Sequence, residues 1–279
     1  MTEGSMHGAG PQPDEALDQP SLSARAFKPY TRSVFLKGGL EPGMRVLHAW
    51  SAGGDVAFVA REIVGPFGEV IGFDQSPQPV AYANRRAANR GFTNVRFVQA
   101  RVDALPFGAE FDAIVGRVVL IYRLDPVADL KALLRCLRPG GLVVFQETDL
   151  LTGKTVPPAP VVEEVRNWML EAFASAGIEM EMGHKLYHTF KAAGLPAPQM
   201  EIDGFIGGVE DVSPALFANV VRNLIPQLEA LGVATADQIQ IDTLEDRMRA
   251  DLARTGGVMS TPLLIGAWSC LPDSSARVA

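Results

Sequence analysis

Two rhythms of apolar positions alternate over the first half of the chain. Short apolar runs at residues 45–50, 70–74, 95–99, 111–115 and 142–146 read as five buried strands. Between them, residues 55–64, 77–90 and 126–137 carry apolar residues at helical spacing. Asp55 suits the first turn of its helix, and Gly91 suits a C-cap. This alternation predicts βαβ units, a parallel sheet with helices on both faces, and right-handed crossovers. A further helix is expected over residues 21–37, interrupted at Pro29.

After Leu150 the rhythm changes. A Pro-rich connector over 152–160 leads into an amphipathic helix over 161–176, with Val165, Trp168, Met169 and Phe173 on one broad face. Helical spacing resumes over 185–193 and stops at Gly194-Leu195-Pro196. Residues 199–205 alternate as a strand. Ser213-Pro214 reads as an N-cap followed by a first-turn proline, opening a helix towards Leu231 with a kink at Pro226. Asp242 and Glu245 form a capping-box-like pair for another helix that ends at Gly256-Gly257. Residues 258–268 read as one final strand.

Composition narrows the class. Of 279 residues 47% are hydrophobic and 20% charged, enough apolar material for one or two domains with a sizeable core. Lys and Arg number 25 against 32 for Asp and Glu, a net charge of -7, which argues against a nucleic-acid surface. Two cysteines, Cys136 and Cys270, exclude a disulfide scaffold and a cysteine-rich zinc site. No apolar run is long enough to span a membrane. Residues 1–20 are Gly-, Pro- and acid-rich, without the basic-then-apolar order of a signal peptide. The expectation is a cytoplasmic protein with a disordered head over 1–20, a helical segment over 21–40, and one α/β domain over 41–279.

Several motifs together carry a resemblance: Arg45-Val46-Leu47, Gly54-Asp55-Val56-Ala57, Gly72-Phe73-Asp74-Gln75-Ser76-Pro77, Ala104-Leu105-Pro106-Phe107, Phe111-Asp112-Ala113-Ile114-Val115 and Leu137-Arg138-Pro139-Gly140-Gly141. The chain resembles the class I S-adenosylmethionine (SAM) dependent methyltransferases. It is most similar to quinone-biosynthesis C-methyltransferases and their natural-product relatives. The resemblance implies a Rossmann-like fold with a seven-stranded, mostly parallel sheet. Its last pair would be antiparallel strands at 199 and 258, with a helical insertion over about 211–255 between them. Ligands would lie at the C-terminal ends of the parallel strands. Gly53, Gly54, Asp74, Gln75 and Val102 would hold SAM.

The sequence departs from that pattern where the cofactor would sit. The family's acid-x-Gly-x-Gly-x-Gly aligns with His48-Ala49-Trp50-Ser51-Ala52-Gly53-Gly54, so the acid is His48, the first glycine is Trp50 and the second is Ala52. The adenine-facing acid aligns with Arg101. SAM carries a sulfonium and an ammonium, which an acid favours and a histidine does not. Arginine has no acceptor for an adenine amino group. Adding bulk to a packed site costs about 1–3 kcal/mol even where it relaxes.

The expected reading is therefore an enzyme that has lost normal SAM use. It would act on a largely apolar natural-product or polyketide intermediate as a cofactor-independent cyclase or pericyclase. His48, Tyr122 and His188 would be its catalytic groups, with Tyr30, Trp50, Arg101, Glu147 and His184 lining the substrate. A genuine SAM-dependent O- or C-methyltransferase and a non-catalytic binding protein remain alternatives, and homo-oligomerisation stays open. His184 and His188, four apart on one helix face, lack the further ligands that a metal needs, so no metal is expected.

Overall fold

Local sequence sets most element boundaries. The computed structural model describes residues 21–51 and 53–272, so the expected disordered head over 1–20 lies outside them. Helix α1 (Leu22–Lys37) starts where the Ser21 hydroxyl accepts a hydrogen bond from the Ala24 amide at 3.0 Å. It continues through Pro29, against the expected interruption. The proline removes one helical hydrogen bond, but the helix is held by the face that buries Ala24, Thr31, Val34 and Phe35.

Then follow β1 (Arg45–His48), α2 (Asp55–Val64), β2 (Glu69–Asp74), α3 (Pro77–Asn89), β3 (Val95–Gln99), β4 (Phe111–Arg117), α4 (Pro126–Leu134) and β5 (Leu137–Asp149). Two boundaries shift in ways that matter below. β1 ends at His48 rather than Trp50, and β4 runs two residues past Val115 to Arg117. Helix α2 needs glycine before it. Gly54 sits at φ 86°, and a Cβ there would lie 2.9 Å from the Phe97 ring and 3.1 Å from that of Phe58.

The remaining elements are β6 (Lys154–Val156), α5 (Pro160–Ser175), α6 (Met182–Ala193), β7 (Gln199–Asp203), β8 (Ile206–Gly207), α7 (Ser213–Ala230), α8 (Ala236–Ile239), α9 (Ile241–Thr255), β9 (Val258–Ser260) and β10 (Leu263–Cys270). The chain divides into two compact units.

Among the described residues, the first unit holds those up to Glu147, Gly183–Glu201 and those from Ile265 on. Seven strands form one sheet in the order β3-β2-β1-β4-β5-β10-β7. β1 pairs in parallel with β2 and β4, β2 with β3, and β4 with β5. The register sets Val46, Ala113 and Leu142 in one row and His48, Val115 and Val144 in the next, with Arg117 beside Gln146 last. The first row, Val115 and Val144 belong to the core that α1 and α2 cover through Val34, Phe35, Val56 and Phe58. Each such fully buried aliphatic or aromatic side chain contributes about 1.5–3 kcal/mol.

The second unit holds Thr148–Met182 and Ile202–Leu264, a wider span than the expected insertion over 211–255. Helices α5, α7 and α9 pack around Val165, Trp168, Phe217, Val221, Leu244 and Met248. A small sheet, β6-β9-β8, belongs to this unit. The expected single strand over 258–268 is thus two strands in two sheets. Pro262 lies at the break, where it cannot donate a ladder hydrogen bond. The sheet neighbour of β7 is β10, the C-terminal part of the strand expected over 258–268. Two caps also differ. Asp211, not Ser213, accepts the Ser213 amide (2.9 Å) and hydroxyl ahead of α7. The capping box forms one helix early, between Thr235 and Gln238.

Candidate functional site

In an open sheet of this kind the ligand crevice lies where the strand order reverses. Here that is the C-terminal end of β1, between β2 and β4. The chain leaving β1 changes partners at this point. The Ala49 amide still bonds to the Val115 carbonyl on β4 (3.0 Å), whereas the Ser51 amide bonds to the Phe73 carbonyl on β2 (2.8 Å). Trp50, between them, makes the reversal with φ 48°, a left-handed conformation rare outside glycine. Its indole is 5% exposed, with the Phe73 ring centroid at 5.5 Å and the Arg123 guanidinium over it at 4.9 Å. Arg123 is fixed from behind by Asp129, 2.6 Å away on α4. Residues following β1 and β4, the two loops that diverge at the switch point, therefore meet through a cation–π contact.

Val118, just past β4, is a second strained residue, at φ 51° with a β-branched side chain. Strain of this kind persists where neighbouring structure enforces it. Glu147 does so here. Its buried carboxylate accepts the amides of Val119 (3.0 Å), Leu120 (2.8 Å) and Ile121 (3.3 Å), pinning the turn that carries Tyr122 and Arg123. Burial pushes its pKa up to about 7, against the pull of those three amides. Tyr122, beside it, is pushed up to about 12 by burial and by the Glu147 charge. Glu147 thus orients this loop from within the fold.

On the other face of the sheet, polar groups cap the apolar core. His48 is buried, and burial with the nearby Arg117 charge holds its pKa down at about 3, so it is a neutral imidazole at physiological pH. Among the described residues its Nδ1 has no hydrogen-bond partner, and neither has the buried Ser51 hydroxyl. Arg117 donates to the Thr31 hydroxyl (3.0 Å), which donates to Gln146 Oε1 (3.0 Å).

The glycine loop is clamped. Arg86, 2% exposed on α3, donates to the Gly53 carbonyl and pairs with Asp55 at 2.6 Å. Asp74 is buried at the end of β2 and accepts the Ser76 amide (3.0 Å), and the Gln75 carbonyl accepts Gln99 Nε2 (3.1 Å). Val102 is buried in a short 3-10 turn.

The structure brings His48, Trp50, Gly53, Gly54 and Asp74 to the switch point and places Tyr122 and Glu147 on its β4 side. Three other expected site residues, two lining and one catalytic, lie exposed. Arg101 is 71% exposed, forked onto Asp103 by hydrogen bonds of 3.0 and 2.9 Å, so it does not line the crevice. His184 and His188 are exposed on α6, whose buried positions are taken by Leu186 and Phe190. Tyr30 is half-buried on α1. Sequence reading missed Arg117, Gln146 and Thr31. Their signal was phase: Arg117 follows Ala113 and Val115, and Gln146 follows Leu142 and Val144, so each polar residue continues a core-facing row.

A methyltransferase domain family matches residues 40–194, more than half the chain, and the chain belongs to that family within the class I SAM-dependent methyltransferase superfamily. Among curated proteins, the ubiquinone/menaquinone biosynthesis C-methyltransferase UbiE of Shewanella oneidensis is 32% identical over 150 residues, 53% of this chain and 59% of that protein. The demethylmenaquinone methyltransferase of Lactococcus lactis is 36% identical over 107 residues, 38% of this chain and 42% of that one. The chain thus spans about 59% of the length of the UbiE relative. Among solved structures, the YcgJ protein of Bacillus subtilis superposes with a TM-score of 0.58 at 19% identity, covering 88% of this chain and 99% of that one. The [4+2]-cyclase SpnF gives 0.51 at 19%, covering 90% and 83%. Likeness at such identity concerns the fold. Among the described residues no helix is long and apolar enough to cross a membrane, and no cluster of His, Cys, Asp and Glu is arranged to hold a metal.

Members of the family bind SAM. Asp74 and Gly54 stand where the family pattern has its ribose acid and last glycine. The other groups do not fit a sulfonium cofactor. An indole fills the turn where bare backbone belongs, His48 supplies no negative charge, and the Arg117 guanidinium adds a positive one.

Proposed function

We propose that this protein is an enzyme on a methyltransferase scaffold that does not use SAM and that rearranges a largely apolar small molecule, most simply by cyclisation. The observation that carries this reading is Trp50, buried in a left-handed turn at the switch point and clasped between Phe73 and Arg123. An intramolecular cyclisation converts π bonds to σ bonds without gaining or losing an atom, so it needs no co-substrate. What a protein supplies to it is a folded conformer of the reactant and fixed dipoles. The fold is compatible with such chemistry, since SpnF is described as a [4+2]-cyclase.

Calorimetric titration with SAM and with S-adenosylhomocysteine tests the reading. No saturable heat is expected for either. Binding at about 1 μM, equivalent to roughly 8 kcal/mol, would overturn it. Trp50→Gly combined with His48→Asp is expected to recover part of that affinity.

A SAM-dependent methyltransferase acting on a small molecule is the second reading. It is favoured by Asp74, retained and buried at the end of β2, and by 32% identity to UbiE over the matched segment. Product mass separates the two readings: an isomer of unchanged mass supports the first, and a gain of one CH2 the second.

A further inference from the structure

We infer that Arg117 and Gln146, held together by Thr31, form an anion pocket at the C-terminal ends of β4 and β5 that takes a carboxylate or enolate oxygen of an otherwise apolar substrate. This rests on the reading of a crevice without SAM and names the polar group its substrate carries.

Register comes first. Arg117 pairs with Gln146 across β4 and β5, in the row beyond Val115 and Val144, so both side chains share the face covered by α1. Thr31 on α1 joins them. Its hydroxyl oxygen accepts from Arg117 Nη1 at 3.0 Å and donates to Gln146 Oε1 at 3.0 Å. Gln146 Nε2, at the other end of that amide, is buried on a 0% exposed side chain with no hydrogen-bond partner among the described residues. An amide NH2 held out of water without an acceptor is an unmet donor.

The charges point the same way. The Arg117 guanidinium has five N–H donors, and among the described residues it hydrogen-bonds to neutral Thr31 alone. Burial lowers its pKa to about 10, so it stays cationic at neutral pH. Among the described residues no carboxylate lies within ion-pairing distance of it. The acid that acts on it electrostatically, Asp55, is already paired with Arg86 at 2.6 Å. Next to it, the neutral His48 adds an unpartnered Nδ1 but no charge. The cluster thus sets a cationic guanidinium without a carboxylate of its own beside an amide that lacks an acceptor among the described residues. An anionic oxygen supplies what the cluster lacks.

The test titrates the whole chain, by calorimetry at neutral pH, with decanoate, 1-decanol and S-adenosylhomocysteine. Decanoate is expected to bind about tenfold to a hundredfold more tightly than decanol, the range for hydrogen bonds to a charged group. Arg117→Met should abolish this preference, and Gln146→Leu should reduce it several-fold. Should Arg117→Met fail to fold, Arg117→Lys keeps the charge without the planar fork and is expected to lose most of the preference. Equal binding of decanoate and decanol, saturation by neither, or a preference that survives at both Arg117 variants overturns the proposal. If S-adenosylhomocysteine binds and decanoate is also preferred through Arg117, the pocket stands and the reading of a SAM-free crevice fails.

Discussion

Replacing Trp50 sets two opposing energies against each other. The indole is 5% exposed, so removing it forfeits the burial of a large aromatic, about 3–5 kcal/mol for truncation to alanine in a core. Against this, the backbone sits at φ 48°, and a left-handed conformation costs an L-residue about 1–2 kcal/mol. Alanine loses the burial and keeps the strain. Glycine loses the same burial and relieves the strain, less about 0.4–1 kcal/mol for the freedom it adds to the unfolded chain. Both variants should be destabilised, with Trp50→Gly about 0.5–1 kcal/mol more stable than Trp50→Ala. That reverses the order seen at ordinary positions. Urea denaturation followed by circular dichroism gives both stabilities, provided the slopes agree. An alanine variant as stable as the glycine variant, or more so, would show that the turn is not strained. The argument that structure enforces an indole there would then fail.

Two buried groups give opposite pH dependences. Glu147 has its folded pKa raised to about 7 from 4.5, so its favourable contribution is complete below pH 4.5 and is lost as pH rises to about 7. His48 has its folded pKa lowered to about 3 from 6.5, so its contribution is complete above pH 6.5 and is lost as pH falls towards 3. Between about pH 4.5 and 6.5 the slopes oppose each other. Denaturation midpoints across this range should change little in the wild type, fall with pH in His48→Leu and rise with pH in Glu147→Gln; parallel profiles for all three would refute the assignment. At Gly54, alanine must adopt φ 86° and bring a Cβ to 2.9 Å from Phe97. Gly54→Ala should cost at least about 2 kcal/mol by thermal or urea unfolding, from overpacking plus strain.

The sheet was legible because its strands are short, apolar and separated by well-marked helices. Helix α2 occupies the span its pattern predicted, since seven of its ten residues are buried and Asp55 opens its first turn. Boundaries failed where tertiary packing overrode local signals. Pro29 reads as a break, yet α1 is held by the face it buries. Residues 258–268 read as one apolar strand, yet they serve two sheets. In the site, His48 and Trp50 stood out because their residue types conflict with a motif. Arg101 conflicted equally, but Asp103 two residues on draws it outward, a local pairing that the motif comparison did not weigh. Arg117 and Gln146 broke no motif. Their importance comes from strand register, which appears only once β4 and β5 are placed side by side.

The position of β10 also bears on how the chain acquires its shape. β5 is complete by Asp149, and β7 by Asp203, but the strand between them in the sheet is residues 263–270. During synthesis, β5 therefore keeps an open edge while more than a hundred further residues emerge, and β7 waits without its sheet neighbour. Open edges of this kind are templates for wrong pairing. Closing the sheet late, across such sequence separation, makes for slow folding. Aggregation during expression should thus be governed by the arrival of β10, the strand that closes the sheet between β5 and β7.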